Sequence, residues 1–319
     1  MKKLIKNMIL IAILSISLSQ TTITTDDLRY DIGGYYSMYN FPSPQGVIGL
    51  TGNVGGPYVF DFQEGVTAAN IVIEYVDADD QGHGGSFPQA TIAEKTRDEN
   101  GDNTWMYLDF VDGAQGGRRN FGFYDDVSIP TAPSVVFNPP IMDFPNNLTY
   151  QSYFSGTTGF TTNAGGYSLD IEYSFEGFAD AYGTVILPDG LGEHECIQVN
   201  YSEQFTYYLF GTPLQYTYIR SYYYLAEDLG IVAIITSNDS QTQVPNDFNI
   251  ASTFARLYDT SKITSSPGDL NEDEQINVLD VVAMVNLILS GEYIDAADMN
   301  GDGVINVLDI VVLVNVILG

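Results

Sequence analysis

Residues 181–200 read AYGTVILPDGLGEHECIQVN, and this stretch decides the fold of the larger part of the chain. Two short runs rich in apolar and β-branched residues flank Pro188-Asp189-Gly190. Proline there fixes φ and glycine permits a positive one, so the chain turns back on itself. Strand, tight turn and second strand make the unit of an antiparallel sheet. The same grammar runs from about 21 to 258, where Tyr, Phe, Thr, Gly and Ser fall in short alternating runs split by Gly and Pro. Strands are expected near 58–62, 71–75, 91–95, 105–111, 167–175, 181–187, 195–201, 205–210, 216–225 and 231–236. Asn163-Ala164-Gly165-Gly166 is a further turn signal. No helical period separates these strands, so the expected fold is mainly β, one large antiparallel domain built as a sandwich or a curved half-barrel. The Pro-rich stretch 129–145 is a candidate division of that domain into halves.

Charge narrows the partners. Against 11 Lys and Arg stand 41 Asp and Glu, a net charge of −30 over 319 residues. Such a surface repels nucleic acid and anionic lipid. Lys2, Lys3 and Lys6 precede the apolar run from Met8 to Leu18, and Ser17-Leu18-Ser19 offers small residues for cleavage, the pattern of a secretory signal peptide over 1–19. Its removal takes away three lysines and no acid. The expectation is a secreted protein, extracellular or associated with the cell surface, with no membrane span, because no later segment has the length. Cys196 is alone in the chain and can form no intrachain disulfide. Sequons occur at Asn147, Asn200 and Asn238.

Near the C-terminus one pattern is written twice, DLNEDEQINVLD over 269–280 and DMNGDGVINVLD over 298–309. Side-chain oxygens recur at loop positions 1, 3, 5, 9 and 12: Asp269, Asn271, Asp273, Asn277 and Asp280 in the first, Asp298, Asn300, Asp302, Asn306 and Asp309 in the second. Position 7, Gln275 or Val304, contributes its backbone carbonyl. This is the oxygen cage of a hard cation, and the expectation is two Ca²⁺ ions. Gly303 suits the sharp turn at position 6, whereas Glu274 must tolerate a positive φ there, which makes the first site the weaker. A single acidic triplet reads as a solvated turn. A twelve-residue match made twice, each time followed by nearly the same apolar run, reads as metal binding. Residues 268–319 contain no Lys or Arg, so without cations the carboxylates repel one another.

A duplicated loop leading each time into one helix resembles the type I dockerin module. The resemblance implies that the ten side-chain ligands above form two calcium sites. It also implies that the module docks onto a cohesin domain of a scaffold protein, and that polysaccharide-degrading enzymes are frequent hosts. One departure concerns the partner-reading positions 10 and 11, where the family commonly has a hydroxyl and this chain has Val278-Leu279 and Val307-Leu308. The helices expected over 278–289 and 307–318 are apolar nearly all round. Packing against each other hides only one face of each, so the other is expected to meet the β domain or a protein partner. Over 141–238, the segments DFP, YQSYFSG, the hairpin quoted above and YTYIRSYYYLAEDLG resemble a recurrent secreted β-rich domain of Bacteroidota and allied marine bacteria, which implies export and a β fold.

Catalytic chemistry has little to stand on. The histidines are His83 and His194, no GxSxG elbow occurs, and neither HExxH nor paired-Cys zinc spacing is present. His194-Glu195-Cys196 reads as strand and His83 as part of a flexible, solvated loop. Asp77, Asp79, Asp80, Asp125, Asp126, Glu172 and Glu176 are available for carboxylate-pair hydrolysis of glycosides, but acid abundance in an acidic chain points to no pair. Tyr216, Tyr218, Tyr222 and Tyr224 fall on one strand face, either as a platform for a glycan or protein or as the cover of a core. Asp98, Asn100, Asp102 and Asp109 repeat part of the loop spacing, yet the following Trp105-Met106-Tyr107 reads as strand, which favours a hairpin turn. The expected organisation is a signal peptide (1–19), a secreted β-rich domain (20–259), a linker (260–267) and a dockerin-like module (268–319). The expected function is a non-catalytic binding or display domain attached through a calcium-dependent docking tail. The alternative is a secreted polysaccharide-acting hydrolase carrying the same tail.

Overall fold

The computed structural model describes residues 21–318 apart from 43, 66–67, 165–166, 189, 263–267, 272–274, 291–294 and 301–303. The expected signal peptide 1–19 and most of the expected linker 260–267 lie outside the described residues. The chain divides into two compact units, 1–260 and 261–319.

The first unit is mainly β. Its strands are β1 (Tyr35–Asn40), β2 (Gln45–Gly46), β3 (Gly55–Asp61), β4 (Ile71–Asp77), β5 (Ile92–Arg97), β6 (Asn103–Val111) and β7 (Gly117–Tyr124). They continue as β8 (Ser134–Pro145), β9 (Tyr153–Ala164), β10 (Tyr167–Ile186), β11 (Glu193–Leu209), β12 (Thr212–Ala226), β13 (Gly230–Ser237) and β14 (Ile250–Thr260). From β4 to β14 each strand pairs with its neighbour in sequence, and β1 pairs with both β4 and β14. The twelve strands therefore close into an antiparallel ring, which leaves no free edge along that path. The expected sandwich or half-barrel is thus realised as a closed, barrel-like sheet. Four expected segments merge into two long strands: 167–175 and 181–187 are both β10, and 195–201 and 205–210 are both β11.

Two irregularities have local causes. Pro139 and Pro140 in β8 carry no N–H, and β8 meets β9 through the single pair Asn138↔Gly159. Residues 134–145 are nonetheless one strand inside the ring rather than a division between halves. On β10 the neighbour changes: residues 167–178 pair antiparallel with β9, whereas 181–186 pair parallel with β3. Asp180 sits at that junction as the extra residue of a bulge opposite β11. Among the described residues the parallel pair is the one departure from antiparallel order, and glycine makes it possible. A Cβ on Gly183 would stand 2.0 Å from the Tyr58 carbonyl oxygen, and one on Gly56 2.2 Å from that of Tyr182.

Both faces of β12 are covered over residues 221–226. Tyr222 and Tyr224 of β12 pack outward with Phe60, Phe62 and Phe254, while Leu225, with Ile197, Val199 and Tyr201 of β11, belongs to a second cluster with Phe144 and Phe175. Phe144 of β8 lies 5.3 Å from Tyr223 of β12, ring centroid to centroid. Strands so far apart in the sheet order meet only through the middle of the ring. One end of that interior is closed by residues 21–30. Ile23 bridges to Leu148, and Thr25 N–H donates to Asn146 Oδ1 at 2.9 Å. The short helix α1 (Thr25–Leu28) follows, with Asp27 Oδ1 accepting Asp228 N–H at 2.7 Å. Tyr30 then stacks on Tyr75 at 4.8 Å. Among the described residues no helix is long and apolar enough to cross a membrane, which says nothing of strands.

Candidate metal centre

In the second unit, α2 (Val278–Ser290) and α3 (Val307–Leu318) each follow one copy of the repeated loop. Both begin Val-Leu-Asp, which places a carboxylate in the first turn, where the unsatisfied N–H groups of a helix favour negative charge. Asp280 Oδ1 accepts the backbone N–H groups of Leu270 at 2.8 Å and Asn271 at 3.2 Å, and its Oδ2 accepts that of Asn277 at 2.7 Å. Asp309 does the same with Asn300 at 3.2 Å and Asn306 at 2.8 Å. Asn277 Oδ1 accepts Leu279 N–H at 2.8 Å, while its amide donates to the Gln275 carbonyl at 3.1 Å. Asn306 repeats both bonds with Leu308 and Val304 at the same distances. Positions 3, 7, 9 and 12 are thereby gathered in each loop. Asp273, Glu274, Asp302 and Gly303 lie outside the described residues.

The donor chemistry suits a hard divalent cation. Asp280 and Asp309 have no exposed surface and Asp269 has 6 %, in a segment without Lys, Arg or His to neutralise them. Burying carboxylates is costly, and an oxygen-ligated cation lowers that cost. For Asp280, burial alone would raise the carboxyl, but the N–H groups of Asn277, Leu270 and Asn271 outweigh it and hold the group below the ordinary carboxylate range.

The two halves are built alike. Met284 and Leu313, at equivalent positions, are fully buried with Ala297. Gly268 N–H donates to the Ala296 carbonyl at 2.9 Å, tying the start of the first loop to the turn before the second. The outer faces stay apolar: Val278, Leu279, Val282 and Leu289 on α2, and Val307, Leu308, Val311 and Leu318 on α3, are all more than half exposed.

The β domain assigns its other candidates to structural duties. Tyr222 and Tyr224 are fully buried, their hydroxyls donating to the carbonyls of Asn246 at 2.7 Å and of Leu50. Only Tyr216 and Tyr218 of that face retain surface, so most of the platform is core cover. His83 is a correction. It does not sit loose in solvent but stacks on Tyr124 at 3.6 Å between short 3₁₀ turns. Cys196 is buried, which pushes its thiol far up. His194 bonds the Leu191 carbonyl at 2.6 Å. Asp98 closes the β5–β6 hairpin, accepting N–H groups from Asn100 and Asp102 at 2.9 Å each. Asp80 accepts the Trp105 indole N–H at 3.1 Å, Asp125 accepts two N–H groups of its own turn, and Glu172 and Glu176 point to solvent. Sequence reading passed over the buried cluster in which Arg118 joins Glu94 and Asp143, and over Glu203, which lines the same cavity as Arg118 and Asp143. Their burial has no signal at the level of single residues, because it follows from ring closure.

The second unit is thus a duplicated, acidic loop–helix module. Residues 267–318 match the family model of the dockerin type I domain, and such domains bind calcium and dock onto cohesin-type protein partners. The match covers this module and leaves the barrel outside it. No curated protein and no solved structure matches the chain.

Proposed function

We propose that this is an exported protein in which a β-barrel domain is attached to a cohesin-type partner by a calcium-set docking module. The carrying observation is the twin clasp at Asp280 and Asp309, two fully buried carboxylates in a segment with no cationic side chain. One Ca²⁺ in each loop supplies the missing positive charge. The first is held by Asp269, Asn271, Asp273, Asn277, Asp280 and the Gln275 carbonyl. The second is held by Asp298, Asn300, Asp302, Asn306, Asp309 and the Val304 carbonyl. Fixing both loops fixes both helix starts, and so the spacing of the apolar faces that the partner reads. Val278-Leu279 and Val307-Leu308 make that reading hydrophobic instead of hydroxyl-based.

The test is calorimetric titration of the chelator-treated full chain with Ca²⁺. Two ions per chain are expected, and one after Asp309→Ala. A stoichiometry unchanged by that substitution overturns the assignment. Complex formation with a panel of cohesin domains, followed by gel filtration with calcium and with chelator, tests the docking step. A complex that persists in chelator argues against calcium control.

A further inference from the structure

The interior of the barrel holds a cavity of about 330 Å³ lined by side chains of β6 to β12. That is the low end of the range for small-molecule sites and room for on the order of ten water molecules. Its walls are aromatic. Phe137, Phe144, Tyr173, Tyr201, Phe205 and Tyr223 line it, with Phe137 6.3 Å from Tyr173 and Tyr173 stacked 4.7 Å from Phe205. Tyr201 meets Tyr223 edge to face at 5.5 Å. The hydroxyls of Tyr201 and Tyr223 make no hydrogen bond with the described residues.

The charges in this chamber do not balance. Arg118 is the one Lys, Arg or His among the lining residues, and it is fully engaged. Its Nε and Nη2 clasp Asp143 at 2.9 and 3.0 Å, its Nη1 reaches Glu94 at 3.2 Å, and its plane lies 5.0 Å from the Phe144 ring. Glu94 also accepts the Tyr75 hydroxyl. Glu203 is a third acid, and its partners are neutral: the Tyr173 hydroxyl at 2.9 Å and the Ser221 hydroxyl at 3.3 Å. Burial raises its carboxyl above the ordinary range, as expected of an acid without a counter-ion.

We infer that the barrel interior is a binding site for a small organic cation, a quaternary or protonated amine, held by Glu203 and the faces of the surrounding aromatic rings. Aromatic faces are negative, and a cation enclosed by them and opposite a carboxylate is attracted by both. An anionic ligand meets surplus acid and no uncommitted cation. A neutral one leaves Glu203 as it stands. This inference concerns the barrel alone and is independent of the docking reading.

The experiment is titration calorimetry of the full chain in calcium at about pH 8, with choline, its uncharged isostere 3,3-dimethyl-1-butanol, and hexanoate as probes. Choline is expected to bind at least about tenfold tighter than the alcohol, and hexanoate weakest. Glu203→Gln keeps the shape and the two hydroxyl bonds and is expected to erase the preference, with near-ultraviolet circular dichroism unchanged. Should that variant misfold, Phe205→Leu serves instead, expected to weaken choline more than the alcohol. The inference is overturned if the alcohol or hexanoate binds as tightly as choline. It is equally overturned if no probe binds up to ~10 mM, or if both folded variants keep the preference of the parent chain.

Discussion

Asp180 shows how one residue records a topological event. It is the extra residue where β10 exchanges β9 for β3. Its Oδ2 accepts the Asn200 amide at 3.0 Å, while its Oδ1 is buried with no partner. Burial lifts its carboxyl from 3.8 to about 7, against the opposing pull of Asn200 and Arg220. Because the folded state holds the proton more tightly than the unfolded chain, the associated stability is complete below about pH 4 and is lost as pH rises through about 7. Asp180→Asn removes that titration. The parent protein should therefore lose on the order of 4 kcal/mol relative to the variant between pH 4 and 8. Parallel denaturant melts at the two ends of that range check it, and a constant difference would count against the shift. The same neighbourhood bears on the Asn200 sequon, whose side chain is buried between Asp180 and Arg220 and is closed to modification in the folded protein.

At the scale of elements, the parallel contact of β3 with β10 depends on the bare backbones of Gly183 and Gly56. Gly183→Ala is expected to destabilise the barrel by more than ~2 kcal/mol, because the atom its Cβ meets is a carbonyl that cannot move without breaking the ladder. A chemical-denaturation midpoint equal to that of the parent chain would refute the argument. On the docking helices the effect runs the other way. Val311→Asp on an exposed position should change stability by less than ~0.5 kcal/mol, yet weaken the complex with a cohesin-type partner at least about tenfold. Strands with alternating aromatics, such as β6 and β12, were legible in the sequence because both pattern and propensity mark them. β7 and β8 were not, since Gly116-Gly117 and Pro139-Pro140 resemble loop punctuation, and only pairing across the ring makes them strands. The metal loops were legible because their ligands are local in sequence. The chamber lined by Glu203 was not, because its walls come from seven strands spread over more than a hundred residues.

For the whole molecule, the two units differ in what holds them folded. The barrel buries three apolar clusters and closes its ring of twelve strands, so its cohesion comes from apolar burial and a continuous ladder. Among its described residues the C-terminal unit has a core cluster of Met284, Ala297 and Leu313 with no exposed surface, and three carboxylates of the same unit are also buried. A unit of this size rarely gains more than a few kcal/mol from such a core, and here electrostatic repulsion opposes it. Calcium binding to the folded form then supplies stability by mass action, rising by about 1.4 kcal/mol for each tenfold excess over the dissociation constant. Scanning calorimetry of the full chain should accordingly show a transition that chelator moves down or abolishes and a second that chelator leaves in place. Asp280→Ala together with Asp309→Ala, one ligand from each loop, should reproduce the chelator trace in saturating calcium. A single transition that shifts as one with calcium would mean that the ion stabilises the barrel as well, and the division of labour between the two units would fail.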